Sequence, residues 1–136
     1  MVTDRCTTAS LLVYLAHASP SWMGCIQFLI ALDFSSHYCQ MVSSLTLGSA
    51  SHKKLSKTSN VLLRLYYENS IMLFFVCAGN EVFYMTCYLS LFYSNSLIYG
   101  LFFTCLPVFI FKQVLNLLQL KGATQELVHF EKSKYR

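Results

Sequence analysis

The sequence predicts an all-α integral membrane helical bundle, and three observations lead there. Of 136 residues, 55% are hydrophobic and only 12% are charged, whereas a water-soluble domain carries about 25% charged residues to cover its surface. Mean hydropathy is +0.49. Three apolar runs reach the roughly 20 residues that a helix needs to cross a bilayer: Trp22 to about Thr46, Ser70 to Tyr93, and Leu97 to Leu120. The third observation is the placement of basic residues, taken up below. At this length one compact domain is expected, with residues 1–120 forming the membrane part and 121–136 a basic tail.

A fourth apolar run, Leu11 to Ala18, is too short to cross alone unless the polar segment before it continues the helix. It has a rival reading as a cleaved signal peptide, with Arg5 before an apolar stretch and Ala16-His17-Ala18 as the cleavage triplet; Asp4, which cancels Arg5, and the shortness of the stretch speak against it. The connectors are Ser19-Pro20-Ser21, Leu47 to Asn69 and Ser94-Asn95-Ser96. There is no internal repeat and no low-complexity linker. Pro107 in the last run removes one backbone donor, and a bend is expected there.

The ten Lys and Arg residues follow a pattern on this map. Arg5 precedes the first run. Lys53, Lys54, Lys57 and Arg64 lie in the middle connector, and Lys121, Lys132, Lys134 and Arg136 form the tail. Lys112 is expected to snorkel from the last helix to the same surface. The connectors at 19–21 and 94–96 contain none. If successive runs alternate direction, every basic residue faces one compartment, which the positive-inside bias identifies as the cytosol. Trp22 would then anchor the opposite surface, and Tyr66 and Tyr67 the cytosolic one.

Polar residues inside these runs need partners, because a charge at bilayer depth costs about 2.5–3.5 kcal/mol even on the gentler insertion scales. Asp33 and His37 stand four residues apart, on one helix face, and suit either interhelical contacts or a polar pocket open to the cytosol. Asn80 and Glu81 read as contacts between helices, satisfied by groups such as Ser35, Ser36 and Tyr84. Ser51-His52-Lys53-Lys54 suits a solvated loop on anionic lipid or a site for an anionic head group. Five of the six cysteines lie in apolar runs, with no zinc-type spacing, and are expected to be free buried thiols. No nucleic-acid partner is expected.

Four motifs in order, Leu32-Asp33-x-x-Ser36-His37, Ser51-His52-Lys53, Leu63-Arg64-x-Tyr66-Tyr67 and Cys77-Ala78-Gly79-Asn80-Glu81-x-Phe83-Tyr84, closely resemble the phosphatidylinositol-forming branch of the CDP-alcohol phosphatidyltransferase family. The likeness runs from Met1 to about residue 120. It implies a six-helix membrane fold, of which this chain holds the end of helix 3 plus helices 4–6. It also implies transfer of a phosphatidyl group from CDP-diacylglycerol to myo-inositol, with release of CMP, in the endoplasmic reticulum membrane. A Mg²⁺ or Mn²⁺ requirement and a homodimer are implied in the same way.

The family signature is D-x2-D-G-x2-A-R-x8-G-x3-D-x3-D. Only its last aspartate has a counterpart here, Asp4, within Met1-Val2-Thr3-Asp4-Arg5-Cys6; the third would stand immediately before Met1. By this resemblance Asp4 is the catalytic base and a metal ligand, and Asp33, His37, Lys53 and Arg64 line or border the inositol pocket. Without the resemblance, Asp4 reads as a helix-start residue favoured by the helix dipole. Relatives often carry an arginine near where Ser70 stands, and Lys53 and Arg64 are the cations left to serve in its place.

Since the metals that hold a diphosphate need several hard carboxylates, the 136 residues alone are expected to be inactive. A start inside the signature suggests an incomplete gene model, an alternative start or a truncated copy. Two rivals come from other classes: a non-catalytic membrane protein that pairs with the full-length enzyme and regulates it, and a carrier or channel subunit using Asp33, His37 and Glu81 as a polar path.

Overall fold

A computed structural model describes residues 2–47 and 70–134. Over these, the chain forms α1 (Val2–Ala18), a single 3-10 turn (Pro20–Trp22), α2 (Met23–Leu47), α3 (Ser70–Ser90) and α4 (Ser96–Lys134). The polar residues before Leu11 do continue the first helix, so the short apolar run becomes a helix of 17 residues. Pro20 opens the 3-10 turn, where its missing N–H costs nothing, and the chain turns through 119° between α1 and α2. At the other sharp connection, the Asn95 side chain accepts the Leu97 N–H at 3.2 Å and so caps the start of α4.

Helix direction follows from which residues meet. Asn116 bonds Asp33 and Ser43 bonds Glu126, each pair separated by 83 positions. The constant offset means that α2 and α4 run parallel and in register over about 15 Å, at 1.5 Å per residue. Thr8 bonds Glu81, 73 positions on, and Tyr14 meets Tyr88 at nearly the same spacing, so α1 and α3 are also parallel. Phe83 stacks on Phe109 while Val76 packs with Leu115, which makes α3 and α4 antiparallel. Successive helices therefore alternate direction, the condition on which the one-sided placement of basic residues depends.

Helix α4 is the hub, packed along both α2 and α3, with α1 against α2 and more lightly against α3. Where α3 crosses α4, Gly79 faces Val108, and a Cβ on Gly79 would lie 2.8 Å from Val108 Cγ1. Hydrogen at this position lets the backbones approach, as small residues do between membrane helices. One interior cluster gathers Leu12, Leu15, Phe83, Tyr84 and Cys105. Phe109 lies on Phe83 at 4.3 Å between ring centroids and 16° between planes.

The outside is as apolar as the inside. Phe74, Phe75 and Phe103 are each 66% exposed, while Ser36, Ser43, Asn80, Thr86, Asn116 and Gln119 are buried. Polar groups inward and phenyl rings outward is the order expected where lipid replaces water. Helices α3 and α4 are each long and apolar enough to cross a membrane, and α1 with α2 reaches that standard as a bent pair. The expected third span, Trp22 to Thr46, does not qualify alone, because Gln27, Asp33, His37 and Gln40 dilute its hydrocarbon.

Two boundaries differ from expectation. Helix α3 stops at Ser90, and α4 continues past Leu120 to Lys134, 39 residues in all. At about 58 Å it is nearly twice the roughly 30 Å of a bilayer's hydrocarbon core. The absence of any glycine or proline in a terminating position explains the extension, since Gly122 sits in mid-helix and Ala123 is buried within the packed face. Pro107 lies inside the continuous α4. None of the six cysteines forms a disulfide, as expected, but only Cys105 is buried, and Cys6 and Cys25 are exposed. In a bilayer exposure means contact with lipid, which suits a thiol as well as a protein interior does.

Candidate functional site

The polar side chains of the interior converge on Asp33. From α1, the Arg5 guanidinium donates to both of its oxygens, Nη1 lying 3.1 Å from Oδ1 and 3.3 Å from Oδ2. The other terminal nitrogen of Arg5 holds Asp4 at 2.9 Å, so one arginine joins two carboxylates. From α4, Asn116 Nδ2 donates to Asp33 Oδ1 at 3.2 Å. Lys112 Nζ donates in turn to Asn116 Oδ1 at 3.0 Å. His37, one turn along α2, brings Nε2 to 3.6 Å from Asp33 Oδ1. That is beyond hydrogen-bond range, and among the described residues the nitrogen is buried without a hydrogen-bond partner.

A second polar layer stands beside this one. Thr8 Oγ1 donates to Glu81 Oε1 at 3.0 Å, and Gln113 Nε2 approaches Asn80 Oδ1 at 3.4 Å. Glu81 and Asn80 thus act as contacts between helices, as expected; Thr8 and Gln113 serve them rather than Ser35 or Ser36, and the expected Tyr84 joins the layer, its hydroxyl 3.5 Å from Gln113 Nε2. Nearer the far end of α2, the fully buried Ser43 donates to Glu126 Oε2 at 2.8 Å.

Asp4, Asp33 and His37 are thereby brought together around Arg5. Asp4 sits in the first turn of α1 with a side chain 54% exposed, against 18% for Asp33 and for His37. Lys53 and Arg64 lie outside the described residues, as do Ser51, His52, Tyr66 and Tyr67. Lys112 corrects an expectation. It does not snorkel, but is 2% exposed, because position 112 lies on the α4 face that packs against α2 and α3. Arg5, likewise, is a member of the cluster and not merely a flanking charge.

Sequence reasoning passed over Arg5, Lys112 and Asn116 as site residues. The signal was present in α4, where Lys112, Asn116 and Gln119 recur at helical spacing within an apolar run. All three are buried, and with Ala123 they mark one inward face.

Asp4 was also expected to hold a divalent cation. Among the described residues, no group of three or more His, Cys, Asp or Glu side chains is placed to hold a metal ion. The nearby Asp33 already receives two donors, and Asp4 is engaged by Arg5. These residues by themselves do not fit a Mg²⁺ or Mn²⁺ site, which takes several oxygen ligands.

The bundle and its buried charges define a multi-pass membrane protein organised around a polar interior. The CDP-diacylglycerol–inositol 3-phosphatidyltransferase of Candida albicans is 44% identical over 131 residues, covering 96% of this chain and 57% of the relative. That of Schizosaccharomyces pombe is 37% identical over 158 aligned residues, covering 100% of this chain and 67% of the relative. The human one is 37% identical over 133 residues, covering 93% and 62%. The chain belongs to the CDP-diacylglycerol–inositol 3-phosphatidyltransferase family, the phosphatidylinositol synthases. It spans 57% of the length of the Candida albicans relative and 56% of that of Saccharomyces cerevisiae. No family model matches the chain, and no solved structure matches it.

Proposed function

We propose that this chain forms part of a CDP-diacylglycerol–inositol 3-phosphatidyltransferase, transferring a phosphatidyl group from CDP-diacylglycerol to myo-inositol with release of CMP. The observation that carries this reading is the likeness to enzymes of that name along 96% of the chain. The pairing of Arg5 with Asp4 and Asp33, and the approach of His37 to Asp33, support it further.

In this reading an inositol hydroxyl attacks phosphorus, the bond from phosphorus to the CMP oxygen breaks, and the hydroxyl proton passes to Asp4. A partly exposed carboxylate at a helix start is chemically suited to accept it. Arg5 holds Asp4 in place and keeps its charge close to the developing phosphate charge. Asp33, His37, Lys53 and Arg64 border the inositol pocket, where carboxylate and imidazole suit the hydroxyls of a polyol. A divalent cation, Mg²⁺ or Mn²⁺, would supply Lewis-acid stabilisation of the diphosphate; Asp4 would contribute one carboxylate to it, and the described residues alone do not complete its ligand set.

The residence we propose is the endoplasmic reticulum membrane, with the middle connector and the C-terminus cytosolic. Support comes from the alternating helices and from connectors at 19–21 and 94–96 that carry no basic residue. We propose also that it acts as a homodimer, as the family resemblance implies.

The test is Asp4→Asn in the protein expressed from its own genomic locus. Incorporation of labelled inositol into lipid, dependent on CDP-diacylglycerol, is expected to fall by about 100-fold or more, the usual contribution of a general base. Undiminished incorporation would remove Asp4 from the mechanism.

A further inference from the structure

Asp33 is the meeting point of three helices, and the way α4 reaches it is chemically directional. An asparagine amide has a donor end and an acceptor end, and nothing in its shape says which should face a neighbour. Here both neighbours decide. A lysine ammonium only donates and an ionised carboxylate only accepts, so Lys112 takes the Asn116 oxygen and Asp33 takes the Asn116 N–H. The two distances, 3.0 and 3.2 Å, fit one amide serving both. Lys112 is 2% and Asn116 1% exposed, so the bond between them is shielded from water, while the Asp33 end is part-buried.

The second contact between α2 and α4 reinforces the first. Ser43 and Glu126 meet at the same 83-residue offset, about 15 Å further along. A one-residue slip of α2 along α4 would break both contacts together. Asp33 is therefore held in depth by two rungs and in orientation by Arg5 on one side and Asn116 on the other.

We propose that Lys112 and Asn116 are positioning residues for Asp33, a relay in which the buried cation fixes the amide and the amide fixes the carboxylate that faces inositol. The proposal rests on the transferase reading for what Asp33 faces. The relay itself stands on geometry alone. Lys112 and Asn116 are both buried and each acts through Asp33, so their loss should alter how well inositol is held more than how fast bound inositol reacts.

Two measurements test it separately. The first uses the 136-residue chain purified in detergent and needs no turnover. Asn116→Asp sets a second carboxylate against Asp33 and should lower the melting temperature. The double variant Asp33→Asn with Asn116→Asp restores one carboxylate and one amide in exchanged places, and should recover most of the loss. Full stability of the single variant, or no recovery in the double, would overturn the relay.

The second measurement uses membranes from cells expressing the protein from its own locus. Lys112→Met and Asn116→Leu should raise the KM for inositol about tenfold, as expected when one hydrogen bond to a charged group is lost, with kcat little changed. Lys112→Gln still offers an N–H to Asn116 and should return KM toward the unmodified value. Unchanged KM in Lys112→Met, or an equal loss in Lys112→Gln, would overturn the positioning role. If the unmodified protein incorporates no inositol, the transferase reading fails and the positioning role falls with it, while the detergent measurement still decides whether the relay exists.

Discussion

Around Phe83 the helices meet through rings, and around Asp33 they meet through charges. At the first, Phe83 lies between Phe109 at 4.3 Å and Phe102 at 5.0 Å, backed by Leu12 and Leu15 of α1. At the second, Arg5, Asn116 and Lys112 bring α1 and α4 onto a single carboxylate of α2. In water the aromatic region would be the dominant source of stability. In lipid that drive is weak, since the chains outside are as apolar as the rings inside, and close packing remains as the gain. The charged region is different: a charge at bilayer depth is costly unless it is paired, and Arg5 meets Asp33 while Lys112 meets Asn116. The comparison teaches that the rings fill space between helices, whereas the charges specify which helices meet and at what depth.

The sharpest way to break that comparison is to remove the shared anion. Asp33→Ala leaves the Arg5 guanidinium with the more exposed Asp4 as its remaining carboxylate and the Lys112–Asn116 pair facing a void. Losing one partner of a buried ion pair costs about 3–5 kcal/mol, and the side chains of Arg5 and Asp33 are only 11% and 18% exposed, so little of this is screened. Unfolding of the purified chain by SDS titration should show a loss in that range. A smaller loss than that of the next variant would reverse the ranking of the two regions.

Phe83→Ala addresses the other side. A phenylalanine truncated in a water-soluble core costs about 3–5 kcal/mol, of which part is transfer from water and part the cavity. With lipid outside, only the cavity and lost contacts remain, so about 2 kcal/mol is expected from the same titration. A loss as large as that of Asp33→Ala would mean that ring packing, not charge, sets the stability of the bundle.

The two regions were not equally legible in the sequence. The helices were read from apolar length, which records the solvent outside them. The alternation of direction followed from basic connectors against bare ones. Asp33 with His37 was visible because a carboxylate four residues from an imidazole in an apolar run is conspicuous. Lys112 was not, since its distance from the end of the apolar run made a snorkelling side chain the cheaper assumption; only the packing of α4 against two helices removes that route. Arg5 was hidden for another reason. Its partner lies 28 residues away, on a helix reached through a 119° turn, and no local pattern encodes such a meeting. The end of α4 was misread because apolarity fades at Leu120 while helical propensity and the Ser43–Glu126 bond do not.

Between the two regions lies the Thr8–Glu81 bond, where the smallest effect is expected. Thr8 Oγ1 sits 3.0 Å from Glu81 Oε1 and 3.1 Å from the Asp4 carbonyl oxygen one turn back. A hydroxyl has a single proton to donate, so neither acceptor receives a full bond. Thr8→Val keeps the shape and removes the hydroxyl. The Asp4 carbonyl keeps its place in the α1 ladder, and Glu81 is only half buried, so it can turn toward the polar layer. The loss should therefore be about 0.6 kcal/mol, the average for hydrogen bonds between membrane helices, read in the same SDS titration. A loss approaching that of Phe83→Ala would mean that the proton stays on the Glu81 side. The contact between α1 and α3 would then belong with the charges around Asp33 and not with the rings.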